Sequence, residues 1–144
     1  MNRTLVIGYG NTLRGDDGAG ICAAERAAGR FPGVDILTVH ELQPELVETM
    51  SRYPDVIFLD AAVEGSGIRA DIIEPATDHR PVGSHAHSPA TLLSLCRNLY
   101  GRAPERSLLI AIPGQNFEFG EQLSPFTEMM VEEAIEEVGH FLKS

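Results

Sequence analysis

The sequence predicts an α/β protein, a three-layer α/β/α sandwich on a mostly parallel, twisted sheet. Two observations predict it. Short β-prone runs alternate with amphipathic helical patterns of roughly ten to fifteen residues, the signature of right-handed βαβ crossovers. The run Val56-Ile57-Phe58-Leu59 is continuously apolar rather than alternating, as in a strand covered on both faces.

The elements follow in order. Leu5, Val6 and Ile7 form the first strand, ending in a glycine-rich turn, and Ile21 to Ala28 reads as a helix with Ile21, Ala24 and Ala28 inward. Gly29, Pro32 and Gly33 break it before a second strand, Val34–Val39, which ends at His40-Glu41. Pro44 opens a helix running to about Tyr53, with Leu46, Val47 and Met50 as its inner face. Val56–Leu59 follows and stops at Asp60. A short strand lies around Ile68 to Glu74, and Pro75 to Ser84 lacks periodicity and reads as a surface loop. Ser88 caps the next helix with Pro89 at its first position, and Leu92, Leu95, Cys96 and Leu99 are its predicted buried stripe. Ser107–Ile112 is a further strand, closed by Pro113-Gly114. The loop Gln115 to Leu123 carries Phe117 and Phe119, a possible wall beside the sheet edge and a possible substrate contact. Ser124-Pro125 repeats the cap-plus-proline start, and Met130, Ala134, Val138 and Phe141 line a last helix with Glu132, Glu133, Glu136 and Glu137 outward.

Composition narrows the classes. At 144 residues the chain reads as a single domain, 1–144, able to bury a core without disulfides. Eleven Lys plus Arg against 21 Asp plus Glu give a net charge of −10, so nucleic acid is not an expected partner. No apolar run approaches the roughly 20 residues of a membrane helix, and Met1 to Thr4 leads straight into a strand, so the expected location is cytoplasmic. Cys22 and Cys96 fall in helical patterns without Cys-x-x-Cys spacing and read as reduced, buried thiols. The outward glutamates of the last helix favour a monomer.

The turn Gly8-Tyr9-Gly10-Asn11-Thr12-Leu13-Arg14-Gly15-Asp16-Asp17-Gly18-Ala19-Gly20 concentrates the chemistry. It is not a dinucleotide fingerprint: Leu13 stands at the third glycine position, no Gly-Lys-Ser/Thr follows, and adjacent Asp16 and Asp17 would repel a pyrophosphate. Two carboxylates there favour a cation or proton transfer, although either Asp could instead cap the helix. In a parallel sheet the strand C-termini share one edge, where Asp16 or Asp17, Asp60 and the pair His85/His87 can meet, with His40 at the end of the second strand. Such a set suits a divalent metal with open positions, or His85 and His87 are simply exposed loop residues. No G-x-S-x-G elbow or Cys/His pairing supports a covalent nucleophile.

The turn, followed by Leu59-Asp60-Ala61 and by Ser84-His85 before a leucine-rich helix, resembles the hydrogenase maturation endopeptidases over nearly the whole chain. His40-Glu41-Leu42-Gln43-Pro44-Glu45-Leu46 and the segment from Gly114 to Ser124 are similar to further segments of that family. The resemblance implies an aspartic-type endopeptidase that removes a C-terminal extension from a [NiFe] hydrogenase large-subunit precursor after nickel insertion. It implies Asp17, Asp60 and His85 as the catalytic and metal-contacting residues. Asp17 matches because the family uses the second acid of the pair, and His85 because it lies seven residues before Leu92. The nickel is the one carried by the substrate, and no permanently bound cofactor is expected. The rival readings are a self-contained divalent-metal hydrolase of a small substrate and a non-catalytic metal- or nucleotide-binding module.

Overall fold

A computed structural model describes residues 2–77 and 87–144. Five strands, β1 (Thr4–Tyr9), β2 (Val34–Val39), β3 (Asp55–Ala62), β4 (Arg69–Ile72) and β5 (Arg106–Pro113), form one sheet in the order β2-β1-β3-β5-β4. The first four in that order run parallel, and only the edge strand β4 is antiparallel. Its four residues are all exposed and include the pair Arg69 and Asp71, a charged edge that resists pairing with another sheet. Helices α1 (Ala19–Arg30) and α4 (Pro125–Lys143) cover one face, and α2 (Leu46–Met50) and α3 (Pro89–Tyr100) the other. The predicted three-layer architecture is the one observed.

Strand alternation divides the core. Val6, Ile57, Leu59, Ile110 and Ile112 pack against Ala23 and Ala24 of α1 and Val131, Ala134 and Ile135 of α4. Leu5, Ile7, Val56 and Phe58 pack against Val47 and Met50 of α2 and Leu92, Leu93 and Cys96 of α3. Each fully buried Leu, Ile or Phe side chain contributes about 2 kcal/mol by its removal from water. Alanines on α1 bring that helix close to the sheet, and Gly20 completes the approach, since a Cβ there would strike the carbonyl oxygen of Leu59.

Several expectations change in detail. The helix after Pro44 has one regular stretch, Leu46–Met50; turn hydrogen bonds at Gln43, Pro44, Thr49 and Met50 replace the rest. Its inner face is the predicted one, Leu46, Val47 and Met50. On α3, Leu92 and Cys96 are buried as expected, but Leu93 joins them, Leu95 is half-buried, and Leu99 is exposed in the last turn, where the helix runs out toward solvent. Cys22 is half-buried rather than buried, because it lies where α1 borders solvent beside Arg26. The glutamates of α4 are less uniformly solvated than predicted: Glu132 binds Arg26 and Arg30, and Glu128 binds Arg26, tying α4 to α1. Both cap-plus-proline starts are present, with Thr91 N–H donating to Ser88 and Thr127 N–H to Ser124. The predicted Pro75 to Ser84 loop lies, from residue 78 onward, outside the described residues, and so does His85.

Candidate active site

The turn after β1 is built from its own backbone. Gly10 takes a φ of +141°, and a Cβ there would strike the Asp17 carbonyl oxygen, so only glycine fits. Asn11 then closes a turn by accepting the Leu13 N–H at its Oδ1 (2.9 Å) and the Arg14 N–H at its carbonyl (3.1 Å). A 3₁₀ turn, Gly15–Gly18, follows and carries both aspartates. Neither aspartate caps α1, whose N-cap residue is Gly18 with no side-chain hydrogen bond.

The two adjacent aspartates have opposite environments. Asp16 is fully buried and its carboxylate is saturated. It accepts the N–H of Gln115 (2.7 Å), Asn116 (2.9 Å) and Ser124 (2.7 Å) and the Ser124 hydroxyl (2.7 Å). Burial alone would raise its pKa, but these donors outweigh it and lower the value to about 2. Three backbone bonds add to the joint: Gly15 N–H to Gly120, Asp16 N–H to Asn116 and Gly120 N–H to Leu13, each 2.8 Å. Asp16 is therefore a buried anchor that clamps the loop 114–124 to the first loop. Asp17 is half-buried and accepts one hydrogen bond, from the Asn11 N–H at 2.7 Å.

Asp60 sits within β3, two residues before its end, where the apolar run gives way to the rim. Burial pushes its carboxyl up, the Tyr9 hydroxyl and the Ala61 N–H pull it down, and the nearby Asp17 charge raises it again, for a value of about 6. Tyr9, the last residue of β1, is held well above the ordinary phenol range by burial and by the Asp60 charge and hydrogen bond. Among the described residues neither Asp17 nor Asp60 forms an ion pair. Two carboxylates close enough to interact, with one poised near neutrality, make a site that accepts a cation or a proton.

The structure thus brings Asp17 and Asp60 together, and it assigns Asp16 a different task. His87 is half-buried, one residue before the α3 cap. His40 is exposed and lines a cavity of about 320 Å³ with Glu41, Gln43 and Glu45, while its carbonyl accepts the Gly10 N–H at 3.1 Å. Phe117 is half-buried, with its ring beside Gly114, whereas Phe119 is 81% exposed on the clamped loop. Among the described residues no group of three or more His, Cys, Asp or Glu is arranged around a common metal position. Sequence reasoning missed two residues here. Tyr9 was legible only as a polar-tipped residue two positions after Ile7, on the same strand face. Ser124 was read as a helix cap, and nothing local announced its bonds to Asp16.

No protein-family model matches the chain. It is 29% identical over 145 residues to the hydrogenase 2 maturation protease of Escherichia coli (strain K12), covering 94% of this chain and 88% of that one. The fold superposes on the hydrogenase maturating endopeptidase HybD from E. coli with a TM-score of 0.79 and 28% identity, covering 98% of this chain and 92% of the other. It also matches the [NiFe] hydrogenase maturation protease HycI from Thermococcus kodakarensis KOD1, with a TM-score of 0.72, 26% identity, and 99% and 94% coverage. Sequence and fold agree from one end of the chain to the other, and the acidic turn lies inside the matched region: the chain is similar throughout its length to the hydrogenase maturation endopeptidases.

Proposed function

We propose that this protein removes the C-terminal extension from a nickel-loaded [NiFe] hydrogenase large-subunit precursor, with Asp17, Asp60 and His85 engaging the nickel that the substrate carries. The observation that carries the reading is the pair Asp17 and Asp60 at the sheet rim, partly buried and without an ion pair among the described residues. Two carboxylates and an imidazole are oxygen and nitrogen donors that suit nickel, and they are too few to fill its coordination sphere. They complete a metal already held by the precursor's own ligands, so recognition of the substrate and recognition of its loaded state are one event.

Hydrolysis then needs water at the scissile carbonyl. The metal or a carboxylate positions that water; its oxygen bonds to the carbonyl carbon, the C–N bond breaks, and the leaving amine takes a proton. Asp60, with a carboxyl near 6, is matched to accepting and returning a proton at neutral pH. The clamped loop presents Phe119 as a contact for the precursor, and the Pro75 to Ser84 segment is a second. The enzyme acts as a cytoplasmic monomer of one domain, with no nucleic-acid partner and no cofactor of its own. No helix among the described residues is long and apolar enough to cross a membrane.

Incubation with a candidate precursor, with and without nickel, followed by intact mass, tests the reading. Nickel-dependent loss of the C-terminal extension is expected. Equal cleavage of the nickel-free precursor would overturn the metal-reading role, and a purified protein carrying stoichiometric metal would favour a self-contained hydrolase.

A further inference from the structure

We propose that Asp16 is a positioning residue for substrate binding: its carboxylate holds the loop 114–124 as a fixed wall beside Asp17, with Phe119 turned out to meet an apolar side chain of the precursor. The inference rests on the function proposed above for its kinetic consequence, whereas the clamp stands on hydrogen bonds within the fold. One carboxylate grips both ends of the loop. Its Oδ2 accepts the N–H of Gln115 (2.7 Å) and Asn116 (2.9 Å) at the start and the Ser124 hydroxyl (2.7 Å) at the end, and Oδ1 accepts the Ser124 N–H (2.7 Å). The Thr127 hydroxyl closes the circuit by donating to the Pro113 carbonyl at 3.1 Å. Between the ends, Gly120 is tied on both sides, its N–H to the Leu13 carbonyl and its carbonyl to the Gly15 N–H, and Asn116 Oδ1 accepts the Glu118 N–H at 3.0 Å.

The fixed loop holds its two phenylalanines differently. The Phe117 ring is turned back to Gly114, where a Cβ would strike it. Phe119 is 81% exposed, one residue before Gly120 and so beside the turn that carries Asp17. A mobile loop would fold so large an apolar ring away from water. Held outward on a fixed backbone, the ring meets a partner without the loop-ordering cost that binding otherwise carries. Its occupant is the precursor, because a chain whose scissile bond lies at Asp17 runs past the loop bonded to that turn. Asp17 has holds of its own, the Asn11 N–H on its carboxylate (2.7 Å) and its own N–H donated to the Arg14 carbonyl (3.1 Å). Loosening the loop therefore acts on binding and leaves the chemical step in place.

Four proteins test it: the parent, Asp16→Asn, Phe119→Ala and the double variant. The amide keeps the shape of the side chain, yet whichever way it turns, its NH2 faces at least one loop N–H. With nickel-loaded precursor, each single variant is expected to raise KM about tenfold with kcat within about twofold, and the double variant no further. A parental KM in Asp16→Asn, or KM effects that multiply in the double variant, would overturn the proposal. A structural role alone lowers the folded fraction and leaves KM untouched. Amide hydrogen exchange is the second readout and needs no substrate. The Gly120 N–H, which Leu13 rather than Asp16 accepts, is expected to exchange about tenfold faster in Asp16→Asn. A Gly120 rate equal to the parent's would overturn the clamp. If the parent leaves every precursor intact, the proposed function fails by itself, while the exchange rates still decide whether Asp16 fixes the loop.

Discussion

The two ends of β3 carry two carboxylates with contrasting surroundings. At the start of the strand Asp55 is 1% exposed and ion-paired: Arg106 binds it through Nε (3.2 Å) and Nη2 (3.0 Å), and Arg3 binds it at 3.2 Å. The Arg106 guanidinium also lies 4.2 Å from the centre of the Phe141 ring, which fixes its plane. Nearer the other end, Asp60 meets a tyrosine, a backbone N–H and a second carboxylate. A buried carboxylate supplied with two guanidiniums has its charge answered within the fold. One supplied only with neutral donors and a like charge gains from any cation that arrives, which separates the structural end of the sheet from the chemical one.

The sharpest way to break this contrast is to neutralise each end in turn. Asp17→Ala, Asp60→Ala and His85→Ala are each expected to reduce cleavage of a nickel-loaded precursor by about a thousandfold, measured by intact mass. Normal cleavage by all three would dismiss the rim as the site. Asp60→Asn is expected to melt higher than the parent at pH 7. The sign follows from a folded carboxyl near 6 against an ordinary value of 3.8: the folded state holds the proton more tightly, so stability falls as pH rises between the two. At pH 4 the advantage of the neutral variant should shrink toward zero.

Asp16 extends the comparison to a carboxylate answered by neutral donors alone. Removing a buried acceptor of four hydrogen bonds leaves three backbone N–H groups unpaired, and Asp16→Ala should cost about 3 kcal/mol in chemical denaturation. Because its folded pKa is lowered to about 2, the stability it supplies is present above the ordinary carboxylate range and is lost as pH falls from there toward 2. Asp55→Ala should cost less, about 2 kcal/mol, since Arg3 and Arg106 are partly exposed and recover water, and kcat should be retained. Arg26→Ala removes the exposed pairs between α1 and α4 and should cost under about 1 kcal/mol. A larger loss there would show that the helix pair depends on charge rather than on its alanine-lined seam.

The sequence by itself determined whatever depends on near neighbours. The period of apolar residues set strand and helix, the Ser-Pro pairs at 88–89 and 124–125 set two helix starts, and the buried faces of α2 and α4 follow from spacing alone. The acidic turn and the aspartate after a continuous apolar run were visible too, because a strand's last residues reach the rim wherever the strand sits. Only the tertiary structure decided between the two aspartates of Asp16-Asp17. The donors that occupy Asp16 come from residues about a hundred positions away, Ser124 being 108 from it, and no local pattern encodes which carboxylate they will find. Tyr9 and Asp60 likewise become neighbours only through the register of two strands. Leu99, placed by spacing on the apolar stripe of α3, is left exposed because nothing else among the described residues of the folded chain covers it. Propensity and periodicity act within a few residues, whereas the saturation or vacancy of a charged group is settled by what the closed chain brings beside it.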